Sequence, residues 1–376
     1  MTSRPTILVE LGCFKPGSRA SGPNQSWSRI AEALSDRFRF RIIGEADPGE
    51  IEGRWHELDG CERVALRRGA GITALSRLIR STPAALLVCN GFFNTTMTLP
   101  TLLLKKSGRI RPPLLLAPRG EFSPGALVLK GGRKRAYLSF MRRSGLLRNV
   151  TVQATDESER DLIARQLPDN RVLVGPNVRT LAPLPIARSG PAGGPLRVAF
   201  LSRIDRMKNL HWAINLLREA KVPAQFNIFG PVSDKEYWLY CQSRMANLPP
   251  HLTIDYRGAI DPEDVLATLA GHDLFLLPTL GENFGHAIAD AFLAGTPALI
   301  SDATPWRGLI GATAGADLPL SQPSAWHDFL RRYSLLAPDE RAAWRQGARR
   351  FAEDRLDAAA ATERLACCFE QAINYG

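Results

Sequence analysis

Two short stretches carry residue types that could do chemistry together. "GENFGHAIADAFLAGTP", from Gly281 to Pro297, follows the apolar run "HDLFLLPTL" and sets acids at Glu282 and Asp290, with Gly285 between them. Leaving a buried strand, placing a carboxylate and then starting a helix makes an anion seat. The free N–H groups of a helix start point outward, and a glycine lets a ligand approach the backbone closely. The spacing predicts a first turn at Phe284, Gly285 and His286, with Asp290 about one turn further in. Carboxylates on either side accept hydrogen bonds from paired hydroxyls, as a sugar or ribose offers. The second stretch, "FLSRIDRMKNL", puts Arg203 and Lys208 just past another apolar strand. Two cations there would meet a pyrophosphate. Taken singly, an acid-capped helix and a pair of surface cations read the same way. Taken together, they describe a site for a nucleotide-sugar.

Such groups converge only if strands and helices alternate, and they do. "TILVELG", "FRFRIIG", "AALLVCNG", "PPLLLAPRG", "VTVQAT" and "VLVGPNV" read as strands, and "WSRIAEALSDRF" as an amphipathic helix after a Gly/Ser/Pro-rich loop. "LAPLPIARSGPAGGP", with four prolines and three glycines, reads as a linker. Alternation then restarts with "LRVAFLSRI", "AQFNIFGP", "LTIDYRGAI", "DLFLLPT" and "TPALISD" as strands, and the chain ends in helix. The class is α/β, with two doubly wound parallel sheets. The division is 1–180, linker 181–195, 196–350, and a C-terminal helix 351–376 packing back toward the first domain. Ligands in such sheets sit at the carboxyl ends of strands, so two facing sheets predict a cleft.

The 376 residues suit two domains, and 45% hydrophobic with 23% charged content is globular. No apolar run reaches the length of a spanning helix, and the N-terminus reads as a first strand and not as a signal peptide. The six cysteines form no CxxC and read as reduced thiols. The net charge of +11 is uneven: residues 1–180 hold 29 Lys and Arg against 16 Asp and Glu. Within 102–148 there are 12 basic residues and one acid, Glu121, interleaved with Leu, Val, Phe and Tyr. That surface suits anionic lipid headgroups or a phosphorylated acceptor. Nucleic acid is disfavoured, because no zinc finger, helix-turn-helix or RNP motif accompanies the charge.

These stretches resemble the retaining glycosyltransferases of family four, which have the GT-B fold of two Rossmann-like domains facing a cleft. Glu282 and "NFG" match the first half of the family's E-x7-E motif, and Asp290 stands where a second Glu is usual. Arg203 and Lys208 match its Arg and Lys pair, "GPN" at 175–177 resembles its domain junction, and "SGPNQSWSRIAEAL" its first loop and helix. The resemblance runs from about residue 5 to 310, and "ISDATPW" extends it toward enzymes of bacterial polysaccharide assembly. It implies that Arg203 and Lys208 neutralise a departing nucleoside diphosphate and that Glu282 holds sugar hydroxyls. It implies that Asp290 binds the ribose, and that Gly22, Gly230, Gly258, Asn283, Phe284 and Gly285 line the donor. It puts Arg119, in place of a His, beside the donor sugar. Glu121 is expected to pair with a neighbouring Arg, with service to the acceptor as the alternative. The resemblance implies neither metal nor cofactor. The partners expected are a nucleoside-diphosphate sugar, a saccharide or lipid-linked acceptor and an anionic inner-leaflet surface met by 102–148. The expected place is the cytoplasm, peripheral on the membrane's inner face. A non-catalytic nucleotide-sugar or membrane-surface binding protein of the same fold is the alternative. A sugar-nucleotide epimerase is disfavoured for want of the acids and His that elimination needs.

Overall fold

A computed structural model of the chain describes residues 4–16, 22–47, 49–67, 69–128, 131–179 and 194–375. Its contacts divide it into a first unit, Met1–Arg179 with Ala358–Gly376, and a second, Thr180–Asp357. The expected linker 181–195 lies outside the described residues as far as 193.

The first unit holds β1 (Thr6–Glu10), β2 (Arg39–Glu45), β3 (Trp55–Leu58), β4 (Cys61–Leu66), β5 (Leu86–Asn90), β6 (Leu114–Ala117), β7 (Thr151–Ala154) and β8 (Val172–Val174). Their order is β3-β4-β2-β1-β5-β6-β7-β8. The inner strands read as unbroken apolar runs because helices cover both faces. Helix Gly22–Ala33 buries Trp27, Ile30 and Ala31, spaced at one face of a helix. The last helix, Ala358–Tyr375, buries Leu365, Phe369 and Ala372 in the same core, with Phe369 stacked on Trp27 at 6.4 Å. From β1 the sheet grows to one side through β2 and to the other through β5, so β1 and β5 form its switch point.

The second unit holds β9 (Leu196–Leu201), β10 (Ala224–Phe229), β11 (Leu252–Gly258), β12 (Leu274–Leu277), β13 (Ala298–Ser301) and β14 (Gly315–Leu318). All pair in parallel, in the order β11-β10-β9-β12-β13-β14. Here the switch point lies between β9 and β12.

Two features depart from the sequence reading. β3 and β4 form an antiparallel hairpin, so the first sheet is not wholly parallel. Its turn is Asp59-Gly60, both at positive φ (48° and 77°), a dipeptide suited to tight hairpins. The terminal helix is also two, Pro338–Arg355 and Ala358–Tyr375, broken where Leu356 is buried.

Glu10, the last residue of β1, is fully buried and accepts from the Cys89 thiol at 3.2 Å and from the Thr101 hydroxyl. Burial raises its pKa to about 7, against the two lowering hydrogen bonds. A raised acid contributes stability that is full below its unfolded pKa and is lost as pH rises through the folded value. Glu10→Gln should remove this dependence. Urea unfolding at pH 5 and pH 8 should show the balance moving toward the variant by up to roughly 3 kcal/mol; equal differences at both would contradict the assignment.

Candidate functional site

The loop after β9 is built around Asp205. Its carboxylate caps a 3₁₀ turn, Arg206–Lys208, accepting from the N–H groups of Met207 (3.0 Å) and Lys208 (3.3 Å). Its other oxygen lies 3.5 Å from Arg203 Nη2, so one acid orients both cations. Arg203 is half exposed, whereas Lys208 turns inward and places Nζ 2.5 Å from Glu282 Oε1, with both side chains only 12% exposed. The sequence reading did not join these two residues.

The loop after β12 is laced to the same turn. Thr279 Oγ1 and the Leu280 N–H both donate to Met207 O, at 3.1 and 2.8 Å, and the Glu282 N–H donates to Ala303 O at 3.0 Å. Gly285 caps helix His286–Leu293 at φ 77°, so the helix begins two residues later than its spacing predicts. A Cβ on Gly285 would stand 2.9 Å from Ile288 Cδ1 and 3.3 Å from Trp306 Nε1. The Trp306 indole donates to Phe284 O at 2.5 Å and packs its ring on Phe284. The N–H groups of Ile288 and Ala289 turn back to Gly285 O. The Phe284 and Gly285 amides, just before the helix, donate to no backbone carbonyl among the described residues. Asp290 is inside this helix and 4% exposed. Asn283 stands between Glu282 and Phe284, half-buried.

Gly230 has a steric reason of its own. At φ 127° its Cβ would fall 1.9 Å from Ser202 O, beside Arg203. Gly258 has positive φ but open space around it. Of the sequence candidates, Arg203, Lys208, Glu282, Phe284 and Gly285 thus come together at the β9/β12 switch point, with Gly230 on the loop after β10 and Gly258 the last residue of β11. Asp205, Thr279 and Trp306 were missed. An Asp immediately before a turn was a readable cap signal; Trp306 ends the quoted "ISDATPW", but nothing local to it marked the ring as part of this seat.

Gly22 and Arg119 belong to the first unit. Gly22 starts helix Gly22–Ala33. Arg119 follows β6 at φ 53°, and burial pulls its pKa down, partly offset by the Glu159 charge. Glu121 bonds to no Arg among the described residues, a correction to the expected pairing. It accepts from the backbone amides of Phe92 and Phe93, the latter at 3.2 Å, and burial raises its pKa to about 6. Two backbone donors satisfy a buried carboxylate without a second desolvated charge.

Residues 186–351 match the model of the glycosyl transferases group 1 family, a stretch that spans this whole seat. No relative was found among curated proteins. Among solved structures, sucrose-phosphate synthase from Thermosynechococcus elongatus is similar, at 17% identity and TM-score 0.75, covering 99% of this chain and 100% of that one. Anabaena HepE in complex with UDP-glucose is similar at 15% identity and TM-score 0.73, covering 98% and 100%. WaaG, a glycosyltransferase involved in lipopolysaccharide biosynthesis, is similar at 16% and 0.67, covering 96% and 98%. The fold is that of GT-B glycosyltransferases.

The glycines separate by mechanism. Gly230→Ala should cost about 3 kcal/mol or more, since backbone must move, and Gly258→Ala only about 1 kcal/mol of φ strain. Urea unfolding checks the contrast; equal costs would show that strain and not close approach governs Gly230.

Proposed function

We propose that this chain is a metal-independent, retaining glycosyltransferase of family four. It moves a sugar from a nucleoside diphosphate to a saccharide or lipid-linked acceptor in bacterial polysaccharide or lipopolysaccharide assembly. The observation that carries the reading is the laced pair of loops at the β9/β12 switch point, two cations on one and a carboxylate and helix start on the other. The match of 186–351 supports it, as do the neighbours, one of them bound to UDP-glucose.

In the reaction the bond from the anomeric carbon to the diphosphate oxygen breaks. The acceptor hydroxyl bonds to that carbon and passes its proton to the departing diphosphate oxygen, which carries added negative charge as the bond breaks. Arg203, Lys208 and the amides of Phe284 and Gly285 stabilise that charge, so that no metal is required. Glu282 holds donor hydroxyls and Asn283 adjoins it; Asp290 binds the ribose; Gly22, Gly230 and Gly258 let backbone approach the donor. Before the donor arrives, Lys208 is neutralised by Glu282. A sugar that takes the Glu282 hydrogen bonds frees the ammonium for the phosphates. Sugar recognition is then coupled to charge stabilisation.

The acceptor reading rests on the basic window. Helix Gly131–Arg143 exposes Arg133, Arg135, Arg143 and Phe140, and helix Thr98–Lys106 exposes Leu103 and Lys106. Lys106 Nζ donates to Ser144 O at 2.5 Å, which ties the ends of these helices together. Apolar side chains among cations suit an anionic leaflet and a peripheral place on the inner face of the cytoplasmic membrane. Among the described residues no helix is long and apolar enough to cross one.

Two measurements test this. A panel of nucleoside diphosphates followed by thermal shift should show one base stabilising the wild type, with Arg203→Ala/Lys208→Ala weakening it roughly a hundredfold. No shift at millimolar nucleotide would refute the donor reading. Flotation with vesicles rich in anionic lipid at low salt should capture the protein. Arg135→Glu/Arg143→Glu should weaken that by more than about tenfold; indifference to lipid charge would refute the surface.

A further inference from the structure

The first sheet has its own polar cluster at its switch point. Asn90 ends β5 there, and its Oδ1 accepts from Trp27 Nε1 and from Arg119 Nε, each at 3.3 Å. Arg119 Nη1 donates to Asn177 Oδ1 at 3.0 Å, and the guanidinium carbon lies 5.6 Å from the Trp27 ring centroid. Three elements therefore fix one cation in one orientation. Nη2 is shielded and bonds to no described residue. Both side-chain acceptors are neutral amides. The nearby carboxylate of Glu159 accepts from the Gly120 N–H and from the N–H and hydroxyl of Thr155, and its charge acts on Arg119 through space.

Other arginines set the contrast. Arg63, fully buried, bonds the Glu50 carboxylate and two carbonyls. Arg341 and Arg345 have Nε as their buried unbonded nitrogen and donate from guanidinium ends to the carbonyls of Ser334, His272 and Ala270. Arg119 differs in leaving a shielded terminal nitrogen unbonded at the carboxyl end of a parallel sheet, where ligands bind. It also holds a left-handed backbone that a non-glycine residue adopts at a cost, a mark of functional positions. A desolvated cation without a bonded counter-charge is costly, and part of the residue remains at the surface for approach.

We infer that Arg119 is the seat of an anionic substituent, a carboxylate or phosphate, on the sugar substrate. Nη2 and the second hydrogen of Nη1 present the paired donors that such an oxyanion takes. A neutral hydroxyl would satisfy one donor and leave the charge offset only through space, by the Glu159 carboxylate nearby. The inference rests on the transferase reading for its substrate class, a sugar. The acidic group sits on the donor sugar or on the acceptor, and the chemistry at Arg119 is the same.

Calorimetry with matched pairs separates the sources. One arm compares UDP-glucose with UDP-glucuronate, or GDP-mannose with GDP-mannuronate if the enzyme takes guanosine. The other compares glucose with glucuronate and glucose 6-phosphate. In one arm the wild type should bind the acidic member at least roughly tenfold tighter. That ratio should fall toward one in Arg119→Gln and keep an intermediate value in Arg119→Lys, which preserves the charge if the Gln variant folds poorly. A ratio near one in both arms of the wild type overturns the inference, as does a preference that survives Arg119→Gln. Failure of the donor reading looks different: no nucleotide binds at all, while the free-sugar arm still reports on Arg119.

Discussion

A single ion pair fixes the geometry on which the candidate donor seat depends. Lys208 comes from the loop after β9 and Glu282 from the loop after β12, and they meet at 2.5 Å with little exposure. Such a pair is a poor source of net stability, because two desolvations offset the attraction. Its effect is positional. With the Met207 carbonyl accepting from Thr279 and Leu280, it holds a cation-bearing turn against a helix start. Neighbouring strands make this possible. β9 and β12 are adjacent and parallel, so their loops leave the sheet side by side at its switch point.

The pair also carries a chemical consequence within the proposed reading. A bare diphosphate meets a Lys208 whose charge is already answered. Arg203, half exposed and steered by Asp205, is then the cation that first attracts it. A full nucleotide-sugar offers hydroxyls to Glu282 and so competes for the carboxylate. The ammonium turns to the phosphates only when the correct sugar is present. Binding energy from the sugar is thereby converted into charge stabilisation at the breaking bond, where it accelerates reaction.

Much of this was legible in the sequence, for reasons that also explain the gaps. Buried parallel strands are continuous apolar runs, so β9 and β12 and the loops leaving them could be located with their Arg, Lys and Glu. Gly285 was readable as a special position because a missing side chain lets a ligand approach the backbone; that its φ of 77° also favours glycine appeared only in the structure. What escaped depended on contacts distant in the chain. Nothing in spacing joins Lys208 to Glu282 across 74 residues, or sets Trp306 against Phe284. The Asp59-Gly60 turn was a local signal and was passed over, which left the first sheet wholly parallel on paper. Glu121 was assigned to an Arg by the weight of basic residues around it. Burial favoured two backbone amides, which add no second charge. Arg119 was singled out by resemblance alone, and its unbonded nitrogen becomes visible only once Asn90, Asn177 and Trp27 surround it.

The most direct test of the coupled seat is the affinity of Glu282→Gln for two ligands, the bare nucleoside diphosphate and its nucleotide-sugar. Removing the carboxylate's charge releases Lys208, so affinity for the bare diphosphate should rise several-fold while affinity for the nucleotide-sugar falls relative to it by about tenfold or more. Parallel losses for both ligands, or no change in either, would contradict the account.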